Sequence, residues 1–453
     1  MQSKSKNGLS GGAAEAIVTP VIEGEEAYDD LYVRVLVLAD GMRQLAIVTT
    51  DFLIFHRPYM DVLLDAIDKA TGIPKENILI NPSQTHNGCW PDPHFHEPGD
   101  AWENRIDMSA IDDTDVSYET WLADCDLELG PYSRWLAGSI VDVANRAVQN
   151  LRPVELRAAR EPAQIGYNRR VMRDGQIVME PNFNGAVVPW VDVLGVYGRD
   201  GRRVSVLFLH AAHPVIIHES SSKIGPDFPG YTIKHLRNLL DKGNEPEGIY
   251  MFAQGCCGDI NGYPLRGGFN ACDVAGLSLA NAVSCALAES QVVAPAALKC
   301  RSMELSLPLQ DPPPADECRT LLSQQTDDEG RGRYSHLLKA AESGEPQFKP
   351  FSMRALAVGD DLCFFSFSGE MFAEYQLFTD KVSPFKHTLV FNHTNGYDGY
   401  VATKADYDLG PAGGYEALRH PSSVKPWLPP HPSCEKIIKE GVTRLLSELK
   451  SSK

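Results

Sequence analysis

Five short segments concentrate the side chains that could do chemistry: SQTHNG (83–88), GYNRR (166–170), HAAHP (210–214), SGEMF (368–372) and NGYDGYV (395–401). Between them they offer imidazole, carboxylate, phenol and guanidinium groups, the usual donors and acid–base groups of hydrolytic centres. A zinc ion takes three or four N, O or S ligands at about 2.0 to 2.3 Å, and a catalytic zinc keeps one position open for water. One histidine from each of two loops, a glutamate from a third and a tyrosine phenolate from a fourth meet that requirement. Spacing alone does not establish such a site. The two histidines of HAAHP stand three residues apart, which is not the helical HExxH of metalloproteases, and a histidine at a strand end also serves as a hydrogen-bonded structural residue.

Apolar runs must position these segments. LYVRVLVLA (31–39) and LAIVTTDFLIF (45–55) read as buried strands, a helix-like stretch runs from Pro58 to about Ala70, and NILIN gives a short strand before SQTHNG. That is a β-α-β unit, in which reactive groups collect on loops at the carboxyl ends of strands. His86 sits on such a loop. RRVSVLFLHAAHPVII is a strongly apolar strand interrupted by two histidines, followed by helix-like FPGYTIKHLRNLL, strand GIYMFAQ, loop GCCGDINGYP and helix CDVAGLSLANAVSCALAES. Paired strands MRALAVGD and DLCFFSFSG, a helix, strand HTLVFNHTNG and helix CEKIIKEGVTRLLSELK close the chain. With no internal repeat and no composition break, the alternation predicts one α/β domain over residues 1–453, a mixed twisted β-sheet core flanked by helices.

Two stretches stand apart. Residues 90–132 carry twelve acidic residues, one arginine and three tryptophans, an acidic surface excursion that reads either as a lid over the site or as a solvated loop. Residues 311–350, rich in Pro, Asp, Glu and Gln around one amphipathic helix, read as an insertion.

At 453 residues, 43% hydrophobic and 23% charged, the chain has the composition of a soluble globular protein. Its net charge of −18 argues against attraction to nucleic acid or anionic membranes. No basic patch is interleaved with aromatics, and LRGGF and AGGY lack the strand-to-helix context of a dinucleotide fingerprint. The expected partner is a small molecule, with no nucleic acid and no stable membrane association; a homo-oligomer stays open. The N-terminus lacks an apolar signal core, no segment reads as the 18 or so apolar residues that span a bilayer, and the ten cysteines form no CxxC pair. A cytoplasmic protein with reduced thiols is expected.

HAAHPVII, PDFPGY, FAQGCCGDING, SGEMF and NGYDGYVATKADYDLGPAGGYEA, preceded by SQTHNG and GYNRR, resemble in order and approximate spacing the N-terminal catalytic domain of neutral (non-lysosomal) ceramidases and their bacterial relatives. Those carry HTHSG, an NR pair, HPV, (D/N)xxGY, QGxxGD, GE and GYxxT…YE. The resemblance covers roughly residues 15–430, and the ordered conjunction of seven motifs makes it specific. It implies a zinc amidohydrolase in which the metal polarises an amide carbonyl and activates water, lowering that water's pKa toward about 7. Carried over by position, His213, Glu370 and Tyr400 match metal ligands, with Gln84 in the place of the first ligand histidine. His86 matches a residue near the reacting water, as acid/base or oxyanion holder. Arg169 and Tyr415 match residues that orient the substrate carbonyl, and Asn168, Trp90 and Asp227 are expected at the substrate. Asp227 and Asp259 also read as structural, capping a turn or tethering a ligand.

Two departures from that pattern matter. A Gln84 amide oxygen is an uncharged, weaker ligand than imidazole, which leaves three readings: a weaker metal held by Gln84, His213, Glu370 and Tyr400; a replacement ligand such as His94 or His96; or no metal. Ceramidases acting on membrane lipid are exported and bear a C-terminal immunoglobulin-like domain, neither of which is visible here, so a polar, sugar-like substrate is expected in place of ceramide. Three rivals remain: a Cys256 or Cys257 nucleophile, a metal-independent glycoside hydrolase using Glu370 with Asp227 or another carboxylate, and a non-catalytic sugar- or metabolite-binding homologue.

Overall fold

A computed structural model describes residues 8–89, 106–108, 129–241 and 247–452. Trp90, His94, His96 and most of the acidic excursion lie outside the described residues, so the lid reading and the replacement-ligand reading for those histidines do too.

β1 (Ser10–Ile17), β2 (Tyr32–Ala39) and β3 (Gln44–Thr50) form an antiparallel meander, and α1 (Arg57–Thr71) returns the chain to β4 (Ile78–Pro82), parallel to β3. Pro58 in the first turn of α1 sacrifices no helical hydrogen bond, and Gly72 ends the helix with φ 73°, a conformation that favours glycine. α2 (Pro131–Gln149) leads to β5 (Arg152–Pro162); β6 (Gly166–Arg173) and β7 (Gln176–Asn182) leave as a hairpin; β8 (Trp190–Gly198) and β9 (Arg203–His210) rejoin the sheet. α3 (Phe228–Leu240) crosses to β10 (Ile249–Gln254), parallel to β9. β11 (Ile260–Gly262) pairs with β6, and α4 (Gly268–Ala288) precedes β12 (Gln291–Val292), which adds to β5. The resulting mixed sheet runs β10-β9-β8-β5-β1-β2-β3-β4.

The chain continues through β13 (Leu298–Pro308), α5 (Ala315–Gln324), α6 (Asp328–Ser343), β14 (Phe348–Val358), β15 (Leu362–Phe367), β16 (Glu370–Met371), α7 (Ala373–Val382), β17 (His387–Phe391), β18 (Tyr400–Val401) and α8 (Cys434–Ser451). β13, β14, β15 and β17 make a second sheet, with β15 and β17 parallel.

Period-two alternation decides the layers. Val33, Val35 and Val37 of β2 face α1 and α2, while Leu36 and Leu38 meet Leu356, Val358, Phe364 and Phe391 of the second sheet. On that sheet Ala355, Ala357 and Phe365 point the other way, toward α7 and α8. The architecture is therefore α/β, the mixed β-sheet core flanked by helices that the sequence suggested, with the core built from two sheets packed face to face. An apolar run such as LYVRVLVLA announces two covered faces without saying whether a helix or another sheet covers each.

Three local findings qualify the sequence reading. α4 is long and apolar enough by composition to cross a membrane, which the sequence reading overlooked; Cys272, Leu279, Val283 and Ala286 pack it onto the large sheet. Residues 311–350 hold two helices, α5 and α6, which pack around Cys318 and Leu337 with Leu309 and Leu428. The nine described cysteines are free.

β1 crosses close over the end of α2. A Cβ on Gly12 would overlap the Ala147 carbonyl oxygen and stand 2.8 Å from the Leu151 nitrogen, so only glycine lets the strand approach. Gly12→Ala is expected to destabilise the protein by about 1–3 kcal/mol, read from urea unfolding; an unchanged midpoint would mean that β1 does not approach α2 so closely.

Candidate active site

The two edge strands of the large sheet, β4 and β10, meet beside β17 and are knotted there by buried amides. Gln254 donates its backbone N–H to Asn81 Oδ1 at 2.7 Å and its side-chain amide to the carbonyls of Ser83 and Ala212. Asn392 closes the knot: its N–H donates to the Gln254 carbonyl, and its own carbonyl accepts from Asn81 Nδ2. Buried polar groups left unpaired cost about 1–3 kcal/mol each, so this knot fixes where the loops after β4, β9, β10 and β17 come together, at the carboxyl ends of two parallel strand pairs.

In that cluster His213 is fully buried and donates Nδ1–H to the Ile260 carbonyl at 2.9 Å. That bond sets the tautomer and leaves the Nε2 lone pair pointing inward. Nε2 lies 2.8 Å from Glu370 Oε1, and neither atom has any other partner. Glu370 opens β16 directly opposite Tyr400 of β18, and its second oxygen accepts the Tyr397 hydroxyl at 2.9 Å. Burial alone would raise the Glu370 pKa, but His213, Arg169 and His393 hold the carboxyl well below the usual carboxylate range.

Arg169 forks into the same space. It donates to Glu416 at 2.7 Å, Asn261 at 2.9 Å and the Tyr400 hydroxyl oxygen at 3.0 Å. A bulge in β6 between Asn168 and Arg170 lets the next residue also reach Glu416; Arg170 further binds Asp406 and the Gly413 carbonyl. Burial and the charge of Glu370 push the Tyr400 phenol well above its ordinary value, against the pull of Arg169. Tyr415 starts a π-helical turn, a feature that tends to mark functional positions, and meets Tyr400 edge-on at 5.7 Å and His420 at 5.5 Å.

His86 is half-buried, its ring 5.8 Å from that of His213 and 5.0 Å from that of His218. Burial first, then the neighbouring His213 and His218, holds its pKa well below the ordinary histidine value, which favours the neutral ring. Beside Tyr397, Tyr400 and His420 lies a cavity of about 240 Å³, also walled by His56, Lys349 and Lys425.

Several expected residues turn out to be engaged otherwise. Gln84, buried with φ 68°, accepts the Cys257 thiol on its amide oxygen at 3.1 Å, the atom through which it was expected to hold metal. Asn168 uses its amide on Asp259 and the Ala186 carbonyl and its oxygen on the Arg170 N–H. Asp227 caps α3, accepting the N–H groups of Phe228 and Ile217 at 2.7 Å. Both side chains thus carry fold contacts. Burial raises the Cys256 and Cys257 thiols well above their ordinary value, with Glu370 adding to the effect at Cys257, which disfavours either as a nucleophile.

The sequence reading missed Tyr397, His393, His218, His420 and Glu416. Tyr397 stood inside NGYDGYV and His393 just before it, where the apolar strand pattern masked them.

His210, the last residue of β9, donates to the Trp190 carbonyl at 2.8 Å and keeps Nε2 buried without a partner. Burial pushes its pKa down to about 4, whereas an unfolded histidine titrates near about 6.5. Between those values the unfolded chain binds a proton that the folded chain refuses. This contribution is therefore full above about pH 6.5 and is lost as pH falls toward 4, by about 3 kcal/mol in all. Urea midpoints across that window should show the fall, and His210→Phe should flatten its share; an equal slope in the variant would mean that His210 is charged in the folded protein.

Among the described residues, no three His, Cys, Asp or Glu side chains stand together as a ready metal cage. Compared with solved structures, the chain is similar to a ceramidase complexed with C2, with a TM-score of 0.68, 14% identity, and coverage of 98% of this chain and 75% of that one. It is likewise similar to the neutral ceramidase from Pseudomonas aeruginosa, with a TM-score of 0.67, 15% identity, and coverage of 98% and 76%. No protein-family model and no curated protein sequence matches. The fold is neutral-ceramidase-like.

Proposed function

We propose that this chain is a metal-dependent hydrolase that opens an amide or related bond of a small polar molecule. The observation that carries the reading is the buried pair of His213 Nε2 and Glu370 Oε1, 2.8 Å apart, with no other side-chain or backbone partner for either atom. Two ligands at about 2.0 Å from a tetrahedral ion stand about 3.3 Å apart, so a divalent cation would satisfy both atoms at little adjustment. Imidazole nitrogen, carboxylate oxygen and the neighbouring Tyr400 oxygen are a donor set that suits zinc. His213, Glu370 and Tyr400 would hold the ion, which when bound polarises a carbonyl and acidifies water.

The chain's own groups do the rest. His86, neutral at physiological pH, takes the proton of the water that attacks the carbonyl carbon and returns it to the leaving nitrogen. Arg169 donates to the Tyr400 oxygen and so stabilises negative charge there. Tyr397 holds the far oxygen of Glu370, fixing the carboxylate. Tyr415 and His420 form the wall against which the substrate carbonyl is oriented.

The cavity of about 240 Å³, walled by two lysines and two histidines among Pro350, Pro421, Val424, Pro426 and Leu428, suits a compact, partly polar group, which includes sugar-like ones, better than the long alkyl chains of ceramide. The test is a screen of N-acyl amino acids and N-acyl amino sugars with purified protein. Amide hydrolysis that a chelator abolishes and added zinc restores is expected. Chelator-insensitive cleavage of glycosides would overturn the reading.

A further inference from the structure

We propose that His393 supplies the imidazole ligand that the chain lacks at Gln84; the inference rests on the metal-dependent reading above. His393 follows β17 and is only 1% exposed, yet neither ring nitrogen has a hydrogen-bond partner. Buried polar atoms almost always find a partner, and each unpaired one costs about 1–3 kcal/mol. A leucine would fill the same space without that cost, so the imidazole calls for a use.

Its placement supplies one. The His393 N–H donates to the carbonyl of Gly369, the residue before Glu370. The adjacent Asn392 accepts the Met371 N–H at 2.8 Å and lies 3.7 Å from the Cys257 sulfur, which in turn holds the Gln84 amide oxygen. Gln84, Cys257, Asn392 and the Glu370 strand thus form one continuous contact chain with His393 in it.

The backbone is held there against its preference. His393 has φ 28°, a conformation that non-glycine residues reach only when their surroundings fix it. The fixing contacts are Thr394 N–H to the Phe367 carbonyl and three hydrogen bonds between Asn395 and Ile78 and Ile80. Turning the ring toward His213 and Glu370 costs no side-chain hydrogen bond.

The experiment is zinc titration of the full chain against a chelating dye, with metal stoichiometry by elemental analysis, for wild type, His393→Leu, Gln84→Leu, Glu370→Ala and the double variant His393→Leu/Gln84→His. Outer hydrogen-bond partners of metal ligands are worth about 10- to 100-fold in affinity, so loss of a ligand should exceed 100-fold. Expected are wild-type binding near one ion per chain, a loss beyond 100-fold in His393→Leu, a change of no more than about threefold in Gln84→Leu, and recovery in the double variant. Wild-type binding that needs Glu370 but is indifferent to His393→Leu would overturn this proposal alone. A wild type that binds no zinc, and is indifferent to Glu370→Ala, would overturn it together with the metal-dependent reading. Far-UV circular dichroism of each variant separates misfolding from ligand loss, and the double variant decides should His393→Leu fold poorly.

Discussion

Glu370→Ala is expected to fold, to carry no divalent metal and to lower amide hydrolysis by at least about a thousandfold. Glu370 contributes an oxygen with no other partner, facing His213 Nε2 at 2.8 Å, and its second oxygen is set by Tyr397. An ion's stabilisation of developing charge is worth several kcal/mol, and each 1.36 kcal/mol is tenfold in rate, so losing the ion should remove three or more powers of ten. Metal analysis together with initial rates checks this. A Glu370→Ala protein that retains its metal would show that the carboxylate is not a ligand, and one that retains its rate would show that the reaction does not depend on this cluster.

Arg169→Met should cost both stability and activity. The guanidinium is buried with Glu416, Asn261 and Tyr400 on three different nitrogens, and breaking a buried ion pair from one side usually costs about 3–5 kcal/mol. Arg170 continues to pair with Glu416, which places the expected loss near the lower end of that range. Arg169→Lys should rescue little, because a point-like ammonium cannot serve three partners arranged around a planar fork. Urea unfolding measures the first effect and steady-state rates the second. A lysine variant equal to wild type in both would show that charge alone matters at this position.

Particular residues show how far the sequence could be read. FPGYTIKHLRNLL was legible as a helix because its apolar spacing and early proline act locally, and it matches Phe228–Leu240. The β3-α1-β4 unit was legible for the same reason. The second sheet across Leu36 and Leu38 was not, since a strand's own residues do not state what covers them. Within the site, the motif order located the segments that meet. It did not reveal how polar atoms are divided among neighbours distant in sequence: the Gln84 oxygen is taken by Cys257, 173 residues on, the amide of Asn168 by Asp259, 91 residues on, and both oxygens of Asp227 by backbone N–H groups around its own helix cap. His393 was hidden because it ends an apolar strand, where a histidine looks like an interruption until its bare nitrogens are seen.

The amide knot of Asn81, Gln254 and Asn392 also sets a timetable for the nascent chain. The large sheet and its Asn81–Gln254 bond can form while the ribosome is still making the second sheet, but the Gln254 carbonyl waits for Asn392. At about 5–20 residues per second that interval lasts roughly 7 to 28 s. Glu370, His393, Tyr400 and Tyr415 are made around the end of it. Until then the emerging polypeptide displays His86 and His213 without Glu370 beside them, so on the metal-dependent reading a half-made chain lacks the carboxylate that would complete the centre, and the cluster assembles only after the segment from Glu370 to Tyr415 has been made.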